Sequence, residues 1–104
     1  MIYIKANGTL YPAAVSGKFN DKDWDNRSSK SITLEMDYDT ANVLFVDGLA
    51  WSIVMETEDG TEEFDNSEYC VAGSITDNRD GTMTIKMGKL TELEEAYEIL
   101  LGGI

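Results

Sequence analysis

Lys30-Ser31-Ile32-Thr33-Leu34-Glu35-Met36 is the stretch that decides the fold class, because polar and apolar side chains alternate along it. This period of two is typical of a β-strand with one buried face. The same alternation returns at Thr82–Met87. The residues predicted to face inward are Ile32, Leu34, Met36, Met83, Ile85 and Met87. Two such strands predict a sheet with one face packed on a core.

Further strands are predicted on both sides of this stretch, each bounded by residues that favour turns. They comprise Ile2–Lys5, Thr9–Val15, Trp51–Thr57 and Tyr69–Thr76, with turn signals at Asn7-Gly8 and Asp59-Gly60. Pro12 has no N–H to donate, so the second strand is predicted to lie at a sheet edge or to contain a bulge. The link 77–81 suits a hairpin loop closed by Gly81 at positive φ. The polar segment 16–29 is predicted to be a surface loop that includes Phe19 and Trp24.

A short helix is predicted over about residues 39–46, with Asp37 or Asp39 as its N-cap. Its apolar face would contain Ala41, Leu44 and Phe45, and Gly48 is a plausible stop. The C-terminal helix has the clearer signature, a capping box formed by Thr91 and Glu94. Acidic residues in its first turn favour the helix dipole. Its predicted apolar face comprises Leu93, Ala96, Tyr97, Leu100 and Leu101, with Gly102-Gly103 as the end.

The expected architecture is therefore a single α+β domain over residues 1–104. It would be an antiparallel sheet of about five to seven strands with two helices, in the order β-β-β-α-β-β-β-β-α. The C-terminal helix is expected to pack across one face of the sheet.

Charge is the most unusual property of the composition. Twenty acidic residues against eight basic ones give a formal net charge of -12. Such a surface repels nucleic acid and anionic membranes and attracts cations or basic protein surfaces. The acidity is also compatible with a role in solubility alone.

Enzymatic function is not expected, because the sequence lacks histidine and contains no recognised catalytic motif. Cys70 is the single cysteine, which excludes an intrachain disulfide and a cysteine metal cluster, and it is predicted to be a core residue. No cofactor is expected. The chain lacks a signal peptide and a long apolar segment, so a cytoplasmic location is expected.

The segment 56–68 is the strongest candidate for a binding surface, since it contains seven carboxylates and no basic residue. These residues are Glu56, Glu58, Asp59, Glu62, Glu63, Asp65 and Glu68. As a hairpin tip they would imitate a phosphate backbone and occupy the nucleic-acid channel of a basic protein. The alternative is a solvated loop without a partner.

Trp24 is a second candidate, either as an exposed anchor for a partner or as a lid on the core. Asp21, Asp23 and Asp25 match the first three acidic positions of a calcium loop. However, Asn26 replaces the expected turn glycine and Ile32 replaces the bidentate glutamate. Calcium is thus a weak candidate for this segment.

Four segments, 23–34, 44–51, 65–70 and 80–82, resemble small uncharacterised proteins encoded by phages and prophages of gut Firmicutes. The resemblance implies a phage origin in a bacterial host cell and assigns no residue a role. Together with the charge it suggests an inhibitor of a host defence protein, such as an anti-CRISPR protein. The alternative is a small virion or tail-assembly component.

Overall fold

The computed structural model of the chain describes residues 1–102, apart from the side chains of residues 98, 99 and 101. Within these residues the chain forms one antiparallel seven-stranded sheet and two α-helices, which confirms the predicted α+β class and element order. The strands are β1 (Ile2–Ala6), β2 (Thr9–Asp21), β3 (Arg27–Glu35), β4 (Trp51–Thr57), β5 (Gly60–Asp65), β6 (Val71–Asp77) and β7 (Thr82–Gly88). The helices are α1 (Tyr38–Leu44) and α2 (Glu92–Gly102), and a 3₁₀ turn covers Lys22–Trp24.

The strands lie in the order β5-β4-β1-β2-β3-β7-β6. The two ends of the sheet are therefore β5 and β6. The long strand β2 joins the halves, because it pairs with β1 through residues 9–12 and with β3 through residues 13–21.

The core lies on one face of this sheet, and the predicted alternation accounts for it. The directly opposite residues Ile32 and Ile85 are fully buried, and the neighbouring pair Leu34 and Met83 is buried beside them. Met87 is also buried, whereas Met36 is partly buried against the core. Helix α1 contributes Ala41 to the same cluster, the segment that follows it contributes Phe45 and Leu49, and β4 contributes Trp51.

Helix α1 begins as predicted at an aspartate cap. Asp37 accepts a hydrogen bond from the Thr40 N–H at 2.7 Å, which lowers the pKa of Asp37. Gly48 follows the helix at a φ of 86°, a conformation that favours glycine. Its N–H donates to the carbonyl of Cys70, whose side chain is partly buried.

The prediction of a surface loop over residues 16–29 is wrong. Residues 16–21 continue β2, and β3 already begins at Arg27. The local sequence is polar because much of this strand faces solvent, and its conformation is stabilised by pairing with β3. Phe19 is exposed on this extension.

Pro12 does not mark an edge strand, since β2 lies inside the sheet. The proline instead occupies the position where β2 changes partner. Its pair with Tyr3 is the last with β1, and the pair of Ala13 with Leu34 is the first with β3. A residue without an N–H fits at this switch, where the ladder is interrupted.

Helix α2 lies near the end of the sheet, and its capping box is present. The Thr91 N–H donates to Glu94 Oε1 at 2.9 Å, and the Glu94 N–H donates to Thr91 Oγ1 at 3.2 Å. The predicted burial of its apolar face is wrong, because Leu93, Tyr97 and Leu100 are 80%, 63% and 69% exposed. The first turn is joined to the sheet by the ion pair of Glu94 with Arg27. The predicted roles of the Leu101 side chain and Gly103 fall outside the described residues.

Candidate interaction surface at the acidic hairpin

Six of the seven carboxylates of the acidic segment lie in a hairpin at one end of the sheet, and Glu68 follows it. Strands β4 and β5 pair from Ser52–Asp65 to Thr57–Gly60, and Glu58 and Asp59 form the two-residue loop between them. Gly60 has a φ of 128°, which explains the Asp-Gly turn signal in the sequence. Because β5 is the last strand, the hairpin forms one edge of the sheet, and only its tip extends beyond the residues that pair with β1.

All seven carboxylates of the segment are exposed. Side chains alternate across β5, so Glu63 and Asp65 share one face, while Glu62 shares the other with Phe64. Glu58 and Asp59 extend the negative charge around the loop. The hairpin is therefore negative on both faces and at its tip.

Two of the seven carboxylates are paired with lysine. Glu63 lies 3.6 Å from Lys5 Nζ, and Glu68 lies 3.4 Å from Lys89 Nζ. The other five form no ion pair with the residues that the structure describes. Such exposed pairs contribute only about 0–1 kcal/mol, so both can exchange for a partner's cations at low cost.

Asp65 has a structural role in addition to its charge. Its Oδ1 accepts hydrogen bonds from the hydroxyl and the N–H of Ser67, at 2.6 and 3.0 Å. The hydroxyl bond is the main cause of a lowered pKa at Asp65. The carboxylate is therefore kept ionised where the chain leaves β5.

An apolar strip crosses the same end of the sheet. Ile2 lies opposite Met55, and Ile53 lies opposite Phe64. Phe64 is 46% exposed and Met55 is 37% exposed, although both extend from the face that contains the core. The hairpin thus combines a negative surface with apolar side chains, a composition that suits a protein partner.

Trp24 lies far from the acidic hairpin. A Cβ placed on Gly73 of β6 or Gly88 of β7 would lie 2.7 and 2.8 Å from its indole ring, so the ring covers these two glycines. Strands β5 and β7 are five positions apart in the sheet, which is roughly 24 Å at the usual strand spacing. Ile85 and Met87 face the core, so Lys86 and Gly88 lie on the opposite face of β7, and Trp24 packs there. The interpretation of Trp24 as a lid on the core is therefore wrong, and the structure does not bring Trp24 and the carboxylates of the hairpin into one surface.

The cluster around Trp24 includes charged residues that the sequence did not single out. Arg27 and Lys86 lie 4.9 and 5.6 Å from the indole centroid. Arg27 is buried and donates to the Lys89 carbonyl and to both carboxylate oxygens of Glu94. No local pattern indicates such contacts, since they join residues more than sixty positions apart.

The three aspartates proposed for calcium are not arranged as ligands. Asp21 is fully buried and bound to Lys86 Nζ at 2.5 Å, and this hydrogen bond lowers its pKa. Asp23 is exposed, and Asp25 lies 3.7 Å from Arg27. Among the side chains that the structure describes, no three from His, Cys, Asp or Glu are arranged to hold a metal ion. Asp21 is better described as the buried partner of two lysines, Lys86 and Lys18.

No protein-family model matches this sequence, and comparison with curated proteins and with solved structures finds no significant similarity. The resemblance to phage proteins therefore stays a hypothesis. In the described part of the chain, no helix is both long and apolar enough to cross a membrane.

Proposed function

We propose that this chain is a non-catalytic binding protein whose acidic hairpin docks on the basic surface of a partner protein. The observation that favours this function is the concentration of six exposed carboxylates on the hairpin that forms one end of the sheet. Most of them lack an ion pair among the described residues, so their charge remains available to a partner.

A basic surface that binds a carboxylate hairpin is one that ordinarily binds phosphate groups. The proposed partner is therefore a nucleic-acid-binding protein, and the proposed effect is competition with its DNA or RNA. The negative charge would accelerate encounter, and the apolar strip of Met55 and Phe64 would slow dissociation. In the cytoplasm of a bacterial host, a defence nuclease such as a CRISPR effector would be a target of this kind.

The first test is a pull-down from a nuclease-treated bacterial lysate with the tagged protein as bait, at low and at high salt. We expect retention of a basic nucleic-acid-binding protein that is released by salt and by competing DNA or RNA. Capture of phage structural proteins alone, or self-assembly of the bait, would refute inhibition.

The second test assigns the binding to the hairpin. The variant Glu58→Gln/Asp59→Asn/Glu62→Gln/Glu63→Gln should bind the captured partner about tenfold or more weakly at low salt and show a flatter salt dependence. The matched control Asp23→Asn/Glu35→Gln/Asp39→Asn/Glu95→Gln changes net charge equally at exposed positions outside the hairpin. If both variants lose the same affinity, total charge rather than the hairpin explains binding, and unchanged affinity in the first variant would refute the proposal.

A virion or tail-assembly role is the second candidate, and the exposed apolar side chains of α2 favour it. Leu93, Tyr97 and Leu100 are largely exposed in the isolated chain. A neighbouring subunit would bury them, and affinity would then be insensitive to salt.

A further inference from the structure

The two ends of the sheet differ in whether another strand can pair with them. At β6, Asp47 Oδ1 accepts the Ala72 N–H at 2.8 Å, and the pairing with β7 is irregular between Ala72 and Ile75. Side-chain capping and bulges are two ways in which proteins block an edge. The β6 edge is therefore partly closed.

The β5 edge has regular hydrogen-bond geometry. Thr57 and Gly60 flank a two-residue loop, and the Asn66 N–H donates to the Trp51 carbonyl at 2.8 Å. Hydrogen-bonded pairs alternate with non-bonded pairs in an antiparallel ladder. The residues of this strand that bond β4 are consequently those at positions 60, 62, 64 and 66.

The intervening residues direct their backbone groups away from the sheet. These are Thr61, Glu63 and Asp65, each with one N–H and one C=O. Among residues 1–102, these outward-directed groups have no backbone hydrogen-bond partner. The outer edge of β5 can therefore accept one more strand.

A second copy of this chain does not suit this edge. Antiparallel pairing of β5 with β5 centred on Glu63 would place the two Glu63 side chains directly opposite each other, with Asp65 diagonal to Glu63 of the other copy. Like charges directly opposite each other destabilise a strand pair. The edge is thus protected against self-pairing and complementary to a strand with positive side chains.

We infer that the outer edge of β5 binds an extended, lysine- or arginine-containing segment of the partner as an additional antiparallel strand. This inference rests on the proposed function and adds the mode of recognition. A partner residue directly opposite Glu63 lies on the same face of the sheet as Glu63. Lysine or arginine would therefore occupy every second position of the partner strand, opposite Glu63 and Asp65. The intervening partner residues would be apolar and would lie beside Phe64, which is half exposed.

The probe for this mode is a synthetic peptide as long as β5 in which lysine and valine alternate. In the bound peptide, the lysines would lie opposite Glu63 and Asp65, whose backbone groups point outward. The backbone amides of these lysines, and not those of the valines, would therefore hydrogen-bond to β5. Methylation of the lysine amide nitrogens should therefore weaken binding about tenfold or more, while methylation of the valine amides should leave it nearly unchanged. Both methylated peptides have the same charge and number of methyl groups, so each is the control for the other.

Isothermal titration of the full chain with the three peptides gives the result. Strong loss for the lysine-methylated peptide alone supports strand addition. Equal binding of the two methylated peptides, or no binding of the unmethylated one, would overturn it. In either of these cases the proposed function still stands if the hairpin variant loses affinity for the basic partner protein, and it fails if that variant binds unchanged.

Discussion

At the scale of single residues, two glycines determine where Trp24 can lie. A Cβ added at Gly88 would lie 2.7 Å from Arg27 Cδ and 2.8 Å from Trp24 Cζ3. These distances are too short for ordinary contact, so any larger residue displaces the indole or the guanidinium. The burial of Arg27 and its bonds to Glu94 depend on that arrangement.

We predict that Gly88→Ala lowers the free energy of unfolding by about 1–3 kcal/mol, the usual cost of overpacking. Urea denaturation followed by circular dichroism measures the change. Gly17→Ala is the matched control in a strand, because its Cβ would meet only the Ser29 carbonyl oxygen at 4.0 Å, and it should be nearly neutral. In a Trp24→Ala background the cost of Gly88→Ala should shrink, and an undiminished cost would show that the indole is not the obstacle.

At the scale of elements, the sequence correctly predicted the features that depend on neighbouring residues, namely strand alternation and helix caps. The alternation at Ile32 and Leu34, the aspartate cap of α1 and the capping box of α2 all depend on residues within a few positions of one another. The extension of β2 and the location of Trp24 depend on distant strands, and no local pattern specifies them. The apolar spacing of α2 predicted a buried face, but spacing reveals which residues share a face and not what covers it.

The attachment of α2 through Glu94 gives a prediction with a defined pH dependence. The Arg27 side chain, and next the Thr91 N–H, lower the pKa of Glu94 by hydrogen bonding. The ionised pair therefore stabilises the attached helix above the unfolded-state pKa of about 4.3. This stabilisation is lost as the pH falls through the lower pKa of the folded state.

We expect Glu94→Gln to reduce amide-exchange protection across α2 about fivefold at pH 7, since about 1 kcal/mol is reasonable for a partly exposed charged hydrogen bond. The difference from the unchanged chain should shrink at pH values below about 4. Glu92→Gln removes a first-turn charge without touching Arg27 and serves as the control. Equal loss of protection in both variants would assign the effect to the helix dipole instead.

At the scale of the whole molecule, the charges are unevenly distributed. Two buried charges lie toward the β6 and β7 end of the sheet, and each has a partner of opposite charge. Asp21 pairs with Lys86, and Arg27 pairs with Glu94. The hairpin at the opposite end has carboxylates without such partners among the described residues. The acidic segment could be found from the sequence because its charges are close together along the chain. Its position at the edge of the sheet depends on the order of the strands, which the local sequence does not specify.

Crowded like charges should lower stability in a way that salt relieves. We predict that Glu58→Gln/Glu62→Gln raises the free energy of unfolding by about 0.5–1 kcal/mol at low ionic strength, because it weakens repulsion within the hairpin. The gain should largely disappear near 1 M salt, where the screening length is about 3 Å. Urea denaturation across a salt series measures both effects.

The control variant Asp23→Asn/Glu35→Gln makes the same change in net charge at exposed positions outside the hairpin, and its stability should increase less. An equal gain in the two variants would mean that total charge destabilises the fold and that the hairpin experiences no special repulsion. A larger gain in the hairpin variant, lost in salt, would identify this repulsion as a cost that a basic partner relieves on binding.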